Sequence, residues 1–334
     1  MSRAARFSPL FALLLAACGG EPSGSGEPLA TTQQDIFGGS PAPRDDAVVA
    51  VVNFSGGQCS GSLIAPNLVM TARHCVADTV EKDVQVVCGE TPFKAPDSAG
   101  AIFVVPLPTI SENPDDYLAV AEIRMLADQD ADLCGTDVAL LRLKAPFDGV
   151  TPLDPRVTEP VTNGEAYSAV GYGLDESLAD KPSGERKRLD DLQVVCSDAK
   201  CRGNDVRSNE WIGSGGPCQG DSGGPALDAA GRVIGVVSRG AVGCKTPVFS
   251  DVASRADWLQ TEAIAAARAA GQQPPAWACD DAHSCAVPTS SDDPKESCNF
   301  APAAPNTGAR YGWLSALALL WRRRRGIMSI RPKR

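Results

Sequence analysis

Three short segments carry side chains that could perform acyl transfer. They are Thr71-Ala72-Arg73-His74-Cys75, Gly135-Thr136-Asp137-Val138-Ala139-Leu140-Leu141-Arg142-Leu143 and Gly220-Asp221-Ser222-Gly223-Gly224-Pro225. A serine between glycines can sit on a tight turn with backbone N–H groups converging on one point. Hydrolysis of a peptide bond creates an oxyanion at such a point, and each well-placed donor there is worth roughly 3–4 kcal/mol of barrier. Gly220 and Ser222 would supply two such donors, and glycine at 220 lets the backbone approach a substrate unobstructed. Serine is a weak nucleophile at its own pKa and needs a base. Histidine is the natural base near neutral pH, and a buried carboxylate must hold its ring in the correct tautomer. His74 and Asp137 offer these two groups.

Gly-x-Ser-x-Gly taken alone also marks the nucleophile elbow of α/β-hydrolases, in which the acid and the histidine follow the serine. Here the only later histidine is His283, in an acidic stretch between Cys279 and Cys285, and no alternating strand–helix units surround Ser222. The order His74, Asp137, Ser222 is the chymotrypsin order.

The elements that must position these residues read as short Val- and Ile-rich strands broken by Gly, Pro, Asp and Asn. Runs at 47–54, 84–88, 137–143, 166–173 and 232–238 are the clearest, and they predict an all-β sandwich or barrel. One helix is expected from Ser254 to about Ala270, capped by Ser254 or a nearby aspartate, with Trp258, Leu259, Ala263 and Ile264 as its buried stripe. Residues 271–307 turn rich in Pro, Asp and Ser, the composition of a stalk.

The 334 residues carry a net charge of −10, which argues against nucleic-acid binding and against loose adhesion to anionic lipid. Twelve cysteines at irregular spacing suggest disulfides and an oxidising compartment. No zinc-ligand pattern accompanies the two histidines, so neither a metal nor another cofactor is expected.

On the three segments, the chain resembles the trypsin/chymotrypsin family of serine proteases. Thr71 to Cys75 is similar to the family's histidine motif, with Arg73 where alanine is usual. Residues 137 to 143 resemble its aspartate strand, 220 to 225 match its serine motif, and Ile36-Phe37-Gly38-Gly39 resembles its mature N-terminus. The likeness runs from Ile36 to about Ala265. It implies two six-stranded antiparallel β-barrels with a C-terminal helix, a cleft between the barrels and a polypeptide substrate. It also implies a zymogen, in which cleavage before Ile36 frees an α-ammonium that pairs with Asp221. Ser238 resembles the residue that supports the aspartate and borders the substrate. Cys59–Cys75 and Cys218–Cys244 match family disulfides. Cys88–Cys134, Cys196–Cys201 and Cys279–Cys285 are further expected pairs, although sequence alone does not fix connectivity.

Departures from the family bear on specificity. Gly216 stands where a trypsin has the aspartate that binds Arg or Lys, so a non-tryptic preference is expected, with Gly240 leaving the pocket wall open. The loop from Cys244 through Val248 is about one residue short of the family pattern. Arg239 replaces the usual aromatic residue, and Arg239 and Lys245 border the pocket by family position. Either they favour acidic residues before the cut, or they are solvated and the pocket takes neutral or small apolar residues. Asp35 precedes Ile36, and no Lys or Arg lies between Arg6 and Ile36, so a trypsin-like activator could not make that cut.

Both ends read as processing segments. Arg3, Arg6, an apolar run and Leu15-Ala16-Ala17-Cys18 resemble a bacterial lipoprotein signal over residues 1–18; an ordinary secretory signal is the alternative. Residues 19–35 form a flexible tether or propeptide, and 36–270 the protease domain. Residues 308–334, with a short apolar stretch and Arg322 to Arg325, resemble a myxobacterial surface-sorting tail signalled by Cys298; a retained membrane anchor is the alternative. A monomer is expected, secreted or held at the outer membrane of a Gram-negative bacterium.

Two other functions remain open on sequence alone. One is a non-catalytic surface binding protein on a protease fold. The other is an α/β-hydrolase esterase, which would make His283 essential and His74 dispensable.

Overall fold

A computed structural model describes residues 39–55, 57–80, 86–126, 132–173, 184–197, 201, 206–241 and 244–286. Ile36, Cys18, Cys298 and the expected sorting tail lie outside these residues.

Thirteen strands and one α-helix are present among the described residues. A two-residue strand β1 (Ser40–Pro41) is followed by β2 (Val48–Asn53), β3 (Gly57–Ala65), β4 (Leu68–Thr71), β5 (Ile102–Val105), β6 (Leu118–Met125) and β7 (Ala139–Leu143). Strands β2 to β7 close into an antiparallel barrel in the order β2-β3-β4-β7-β6-β5. Its strands carry aliphatic side chains buried on both faces, with Val49, Leu63, Ile64, Val69, Leu140 and Leu141 fully buried. Closure leaves no unpaired edge to solvate, so a strand such as β4 can be buried throughout.

The second half contributes β8 (Ala166–Gly171), β9 (Lys187–Cys196), β10 (Glu210–Gly213), β11 (Pro225–Leu227), β12 (Val233–Ala241) and β13 (Lys245–Asp251). Their order is β9-β10-β13-β12-β11-β8, and pairing of β8 with β9 closes a second six-stranded barrel, with β1 added on β9. This core is aromatic. Trp211 stacks on Phe249 at 4.1 Å, and Tyr167 meets both rings edge-on. The two-barrel architecture expected from the sequence is therefore the one observed.

Local boundaries differ from expectation in three places. Residues 86–88 are not strand, because Cys88 is tied to Cys134 and Val87 is bonded to the Thr91 side chain. The helix, α1 (Ala256–Ala269), starts two residues after Ser254, which sits in a preceding 3-10 turn. Asp251 does the capping there, accepting from the Ser254 N–H at 2.8 Å. Leu259, Ala263 and Ile264 are buried as expected, and Trp258 is partly so.

The third difference is the segment after 270. Residues 276–286 do not begin a stalk; they clip onto α1 and the first barrel. Trp277 Nε1 donates to the Ile64 carbonyl at 3.1 Å, Gln260 Nε2 donates to Asp280 at 2.9 Å, and Arg268 to the Ser284 carbonyl at 3.1 Å. His283 lies between Asp280 (2.9 Å) and Asp257 (3.0 Å), and Cys279–Cys285 closes the loop. Replacing Trp277 with alanine removes packing and leaves a barrel carbonyl unpaired. An equilibrium urea titration of Trp277→Ala is expected to show a loss of about 2 kcal/mol.

No helix among the described residues is long and apolar enough to cross a membrane.

Candidate active site

The candidate groups come from both barrels. The chain leaves β4 at Thr71, makes a 3-10 turn over Arg73–Cys75 that carries His74, and is pinned there by the Cys59–Cys75 disulfide. Asp137 stands two residues before β7, which pairs with β4, so the pairing of Thr71 with Ala139 brings the carboxylate beside the imidazole. His74 Nδ1 lies 2.8 Å from Asp137 Oδ2, and the His74 backbone N–H donates to Oδ1 at 2.9 Å. The second barrel adds Ser238, on β12, whose hydroxyl donates to Asp137 Oδ2 at 2.6 Å. Ser250, on β13, donates to the Asp137 carbonyl at 3.1 Å.

This setting fixes the charge distribution. Asp137 is fully buried, which alone would raise its pKa. The charge and hydrogen bond of His74, with the Ser238 hydroxyl and the His74 N–H, outweigh burial and hold it below the usual carboxylate value. Burial pushes His74 down, but the Asp137 charge and hydrogen bond prevail, with a smaller contribution from Asp78, so its pKa lies above the ordinary 6.5. His74 keeps 24% of its side chain open, so the ring is held on one side and accessible on the other.

Ser222 is partly exposed on the turn that leads into β11. The loop is docked on the first barrel, with Ser60 N–H donating to the Ser222 carbonyl at 2.8 Å. Gly223 shows why glycine follows the serine. Its φ is +83°, and a Cβ there would stand 2.1 Å from Thr71 Oγ1 and 2.7 Å from the Ala72 nitrogen. The serine turn therefore packs directly against the segment that carries His74. Ser60 Oγ donates to the Gly220 carbonyl at 3.0 Å and accepts from Tyr172 N–H at 2.9 Å, so one buried hydroxyl ties the two barrels together behind the turn.

Asp221 is buried, with Oδ1 accepting from Gly173 N–H (2.8 Å) and Oδ2 from Cys218 N–H (2.9 Å). Burial dominates over these bonds and the more distant Lys187 charge, raising its pKa to about 7. Gly216 is buried beside the Cys218–Cys244 disulfide, and Gly240 is exposed on β12. Ser238 is buried and donates to Asp137.

All five expected disulfide pairs are formed. Arg239 is corrected. It is not a solvated pocket cation but forms a two-toothed ion pair with the buried Glu210 at 2.6 and 2.8 Å, while Lys245 is exposed. Glu210, Asn209 and Arg255, which frame the peptide before Asp137, belong to no motif and escaped the sequence reading. His283 is bonded to Asp280 and Asp257 in the C-terminal clip, whereas His74 is the histidine whose segment meets the serine turn. The all-β architecture also removes the α/β-hydrolase reading.

Two closed antiparallel barrels, with a His–Asp pair on one and a serine turn on the other, define the chymotrypsin fold. The Trypsin family model matches residues 36–259, more than half of the chain. Among known proteins, Trypsin-1 of Astacus astacus is 28% identical over 239 residues, covering 64% of this chain and 91% of that protein. Trypsin of Saccharopolyspora erythraea is 29% identical over 255 residues, covering 70% of this chain and all of that protein. The chain belongs to the trypsin family.

Proposed function

We propose that this protein is a serine endopeptidase acting through His74, Asp137 and Ser222. The observation that carries the reading is the 2.8 Å His74–Asp137 contact, held on the segment against which the Ser222 turn packs. In the proposed reaction Ser222 Oγ attacks the scissile carbonyl while His74 Nε2 takes its proton. The N–H groups of Gly220 and Ser222 stabilise the oxyanion. The C–N bond then breaks, and His74 protonates the departing amine, leaving an acyl-Ser222. Water, deprotonated by His74, attacks that ester and restores the serine.

The residue preferred before the cut is proposed to be neutral or small and apolar. Gly216 brings no countercharge for Arg or Lys, and Arg239 is engaged by Glu210, which weakens the case for acidic residues. Maturation is proposed to occur before Ile36, with its α-ammonium pairing with Asp221, and the signal-like N-terminus and five disulfides support export.

A fluorophosphonate probe tests the reading. Peptide mapping of labelled protein is expected to find the phosphonyl group on Ser222, and Ser222→Ala to take up none. A mature chain beginning at Ile36 that stays unlabelled would instead favour a binding protein on a peptidase fold.

A further inference from the structure

The peptide just ahead of Asp137 is clamped from several sides. Gly135 has φ +82°, and its N–H donates to Glu210 Oε1 at 2.7 Å. Its carbonyl accepts from Asn209 Nδ2 at 2.7 Å and from Arg255 Nη2 at 2.6 Å. Glu210 is itself buried, with Oε2 accepting the Arg207 backbone N–H at 2.9 Å. Arg239 completes the carboxylate's shell, Nη1 on Oε1 and Nη2 on Oε2, and Nη1 lies 3.5 Å from the hydroxyl of Ser238, which bonds Asp137.

We propose that Arg239 and Glu210 are positioning residues for the Asp137–His74 pair, acting through the Gly135 peptide and Ser238. The Glu210 side chain is 0% exposed and Arg239, at 12%, bonds both of its oxygens, so removing Arg239 leaves a buried carboxylate without its ion-pair partner. Glu210 accepts from Gly135, Arg207 and Arg239 together, which fixes the backbone two residues before Asp137. Turned away, it would release that peptide, and Asp137 would drift from His74. Arg255 faces the same cluster: burial lowers its pKa, and the charges of Asp251, Glu210 and Asp137 act against that. Asp78 is the other acidic group acting on His74. The inference rests on the peptidase reading for its kinetic consequence, but not for its structural one.

The test uses the full chain and four variants: Arg239→Met, Arg239→Lys, Glu210→Gln, and Arg239→Met with Glu210→Gln. Proton NMR reads the hydrogen-bonded His74 Nδ1 proton and needs no turnover. Fluorophosphonate inactivation, split into KI and kinact from about pH 5 to 9, reads the competence of His74 as a base. For Arg239→Met, kinact is expected to fall about 10- to 100-fold with KI unchanged, as for a misplaced catalytic group. Its acid limb should move to lower pH, and the Nδ1 proton signal should weaken. The double variant should raise kinact at least about threefold above Arg239→Met, because a glutamine carbonyl still accepts from Gly135 with no buried charge left unpaired, although its amide group leaves the Arg207 N–H without that acceptor. Arg239→Lys, which keeps the charge, should fall between wild type and Arg239→Met and covers the case in which the latter does not fold. A rise in KI alone, with the Nδ1 signal and acid limb unmoved, would overturn the proposal and make the pair a wall of the substrate groove. Losses that follow thermal stability equally in every variant would overturn it too. An unlabelled wild type whose Nδ1 proton still responds to Arg239→Met would sink the peptidase reading and leave the positioning role standing.

Discussion

Asp137→Asn is expected to lower turnover about ten-thousand-fold while leaving the fold intact. The hydrogen bonds decide this. Oδ1 of Asp137 accepts the His74 backbone N–H, so the asparagine carbonyl must stay there, and the amide nitrogen takes the place of Oδ2. That nitrogen donates to His74 Nδ1, which must then be the unprotonated ring nitrogen. The proton moves to Nε2, the atom that should accept from Ser222. Ser238 can rotate to accept from the same amide, so the fold should hold, at about 1–3 kcal/mol for the Ser238 O–H that loses Asp137 as its acceptor. The pH profile carries a second signature. In the wild type the Asp137 charge holds His74 above 6.5, so activity should fade as pH drops through that raised value. With the charge gone, burial pushes His74 down and the acid limb should move to lower pH. Stopped-flow or label-rate measurements across pH read both effects; a loss below tenfold would exclude Asp137 from the proposed chemistry.

The readability of the site from sequence follows from how much each residue's role depends on its type. His74, Asp137 and Ser222 stand out because few side chains can act as base, orienting acid and nucleophile, and their order along the chain excludes the main competitor. Gly223 is legible for the same reason: only glycine tolerates both its φ and the approach of Thr71. The Arg239–Glu210 pair was illegible because its meaning lies in register. Glu210 and Arg239 sit on β10 and β12, both beside β13, and a bulge between Val237 and Arg239 offsets the second strand. Nothing in a single sequence locates that bulge, so Arg239 read as a pocket cation. Residues 276–286 misled through composition. Pro, Asp and Ser suggested a stalk, yet Trp277, Asp280 and Ser284 find partners on β3 and α1 that are distant in sequence. Of the five cysteine pairs, Cys59–Cys75 and Cys218–Cys244 were legible through the family likeness, whereas spacing does not fix the others: Cys88 and Cys134 lie 46 residues apart.

Asp221→Asn is expected to act with opposite signs on the stability of the uncut chain at low and high pH. The unfolded carboxyl ionises near 3.8, whereas in this chain it holds its proton up to about 7. Between those values the folded state binds a proton that the unfolded state has lost. The contribution to stability is therefore intact below the unfolded value and falls as pH rises through the folded one, by about 4 kcal/mol in all. Asparagine does not titrate, so that slope should vanish. It also cannot accept both the Gly173 and Cys218 N–H groups, which costs about 1–3 kcal/mol at every pH. The variant should thus be less stable than wild type near pH 4 and equal or more stable near pH 8. Asp251, also raised by burial, adds a slope of the same sign to both proteins and cancels in the difference. Cleavage before Ile36 should reverse the balance. An α-ammonium beside Asp221 would keep the carboxylate ionised and flatten the wild-type curve, while Asp221→Asn would strand that ammonium at about 3–5 kcal/mol. Urea titrations of cut and uncut chains at the two pH values resolve the four cases. Parallel wild-type and variant curves in the uncut chain would show that Asp221 does not titrate in this window, and identical curves after the cut would remove it as the partner of the new N-terminus.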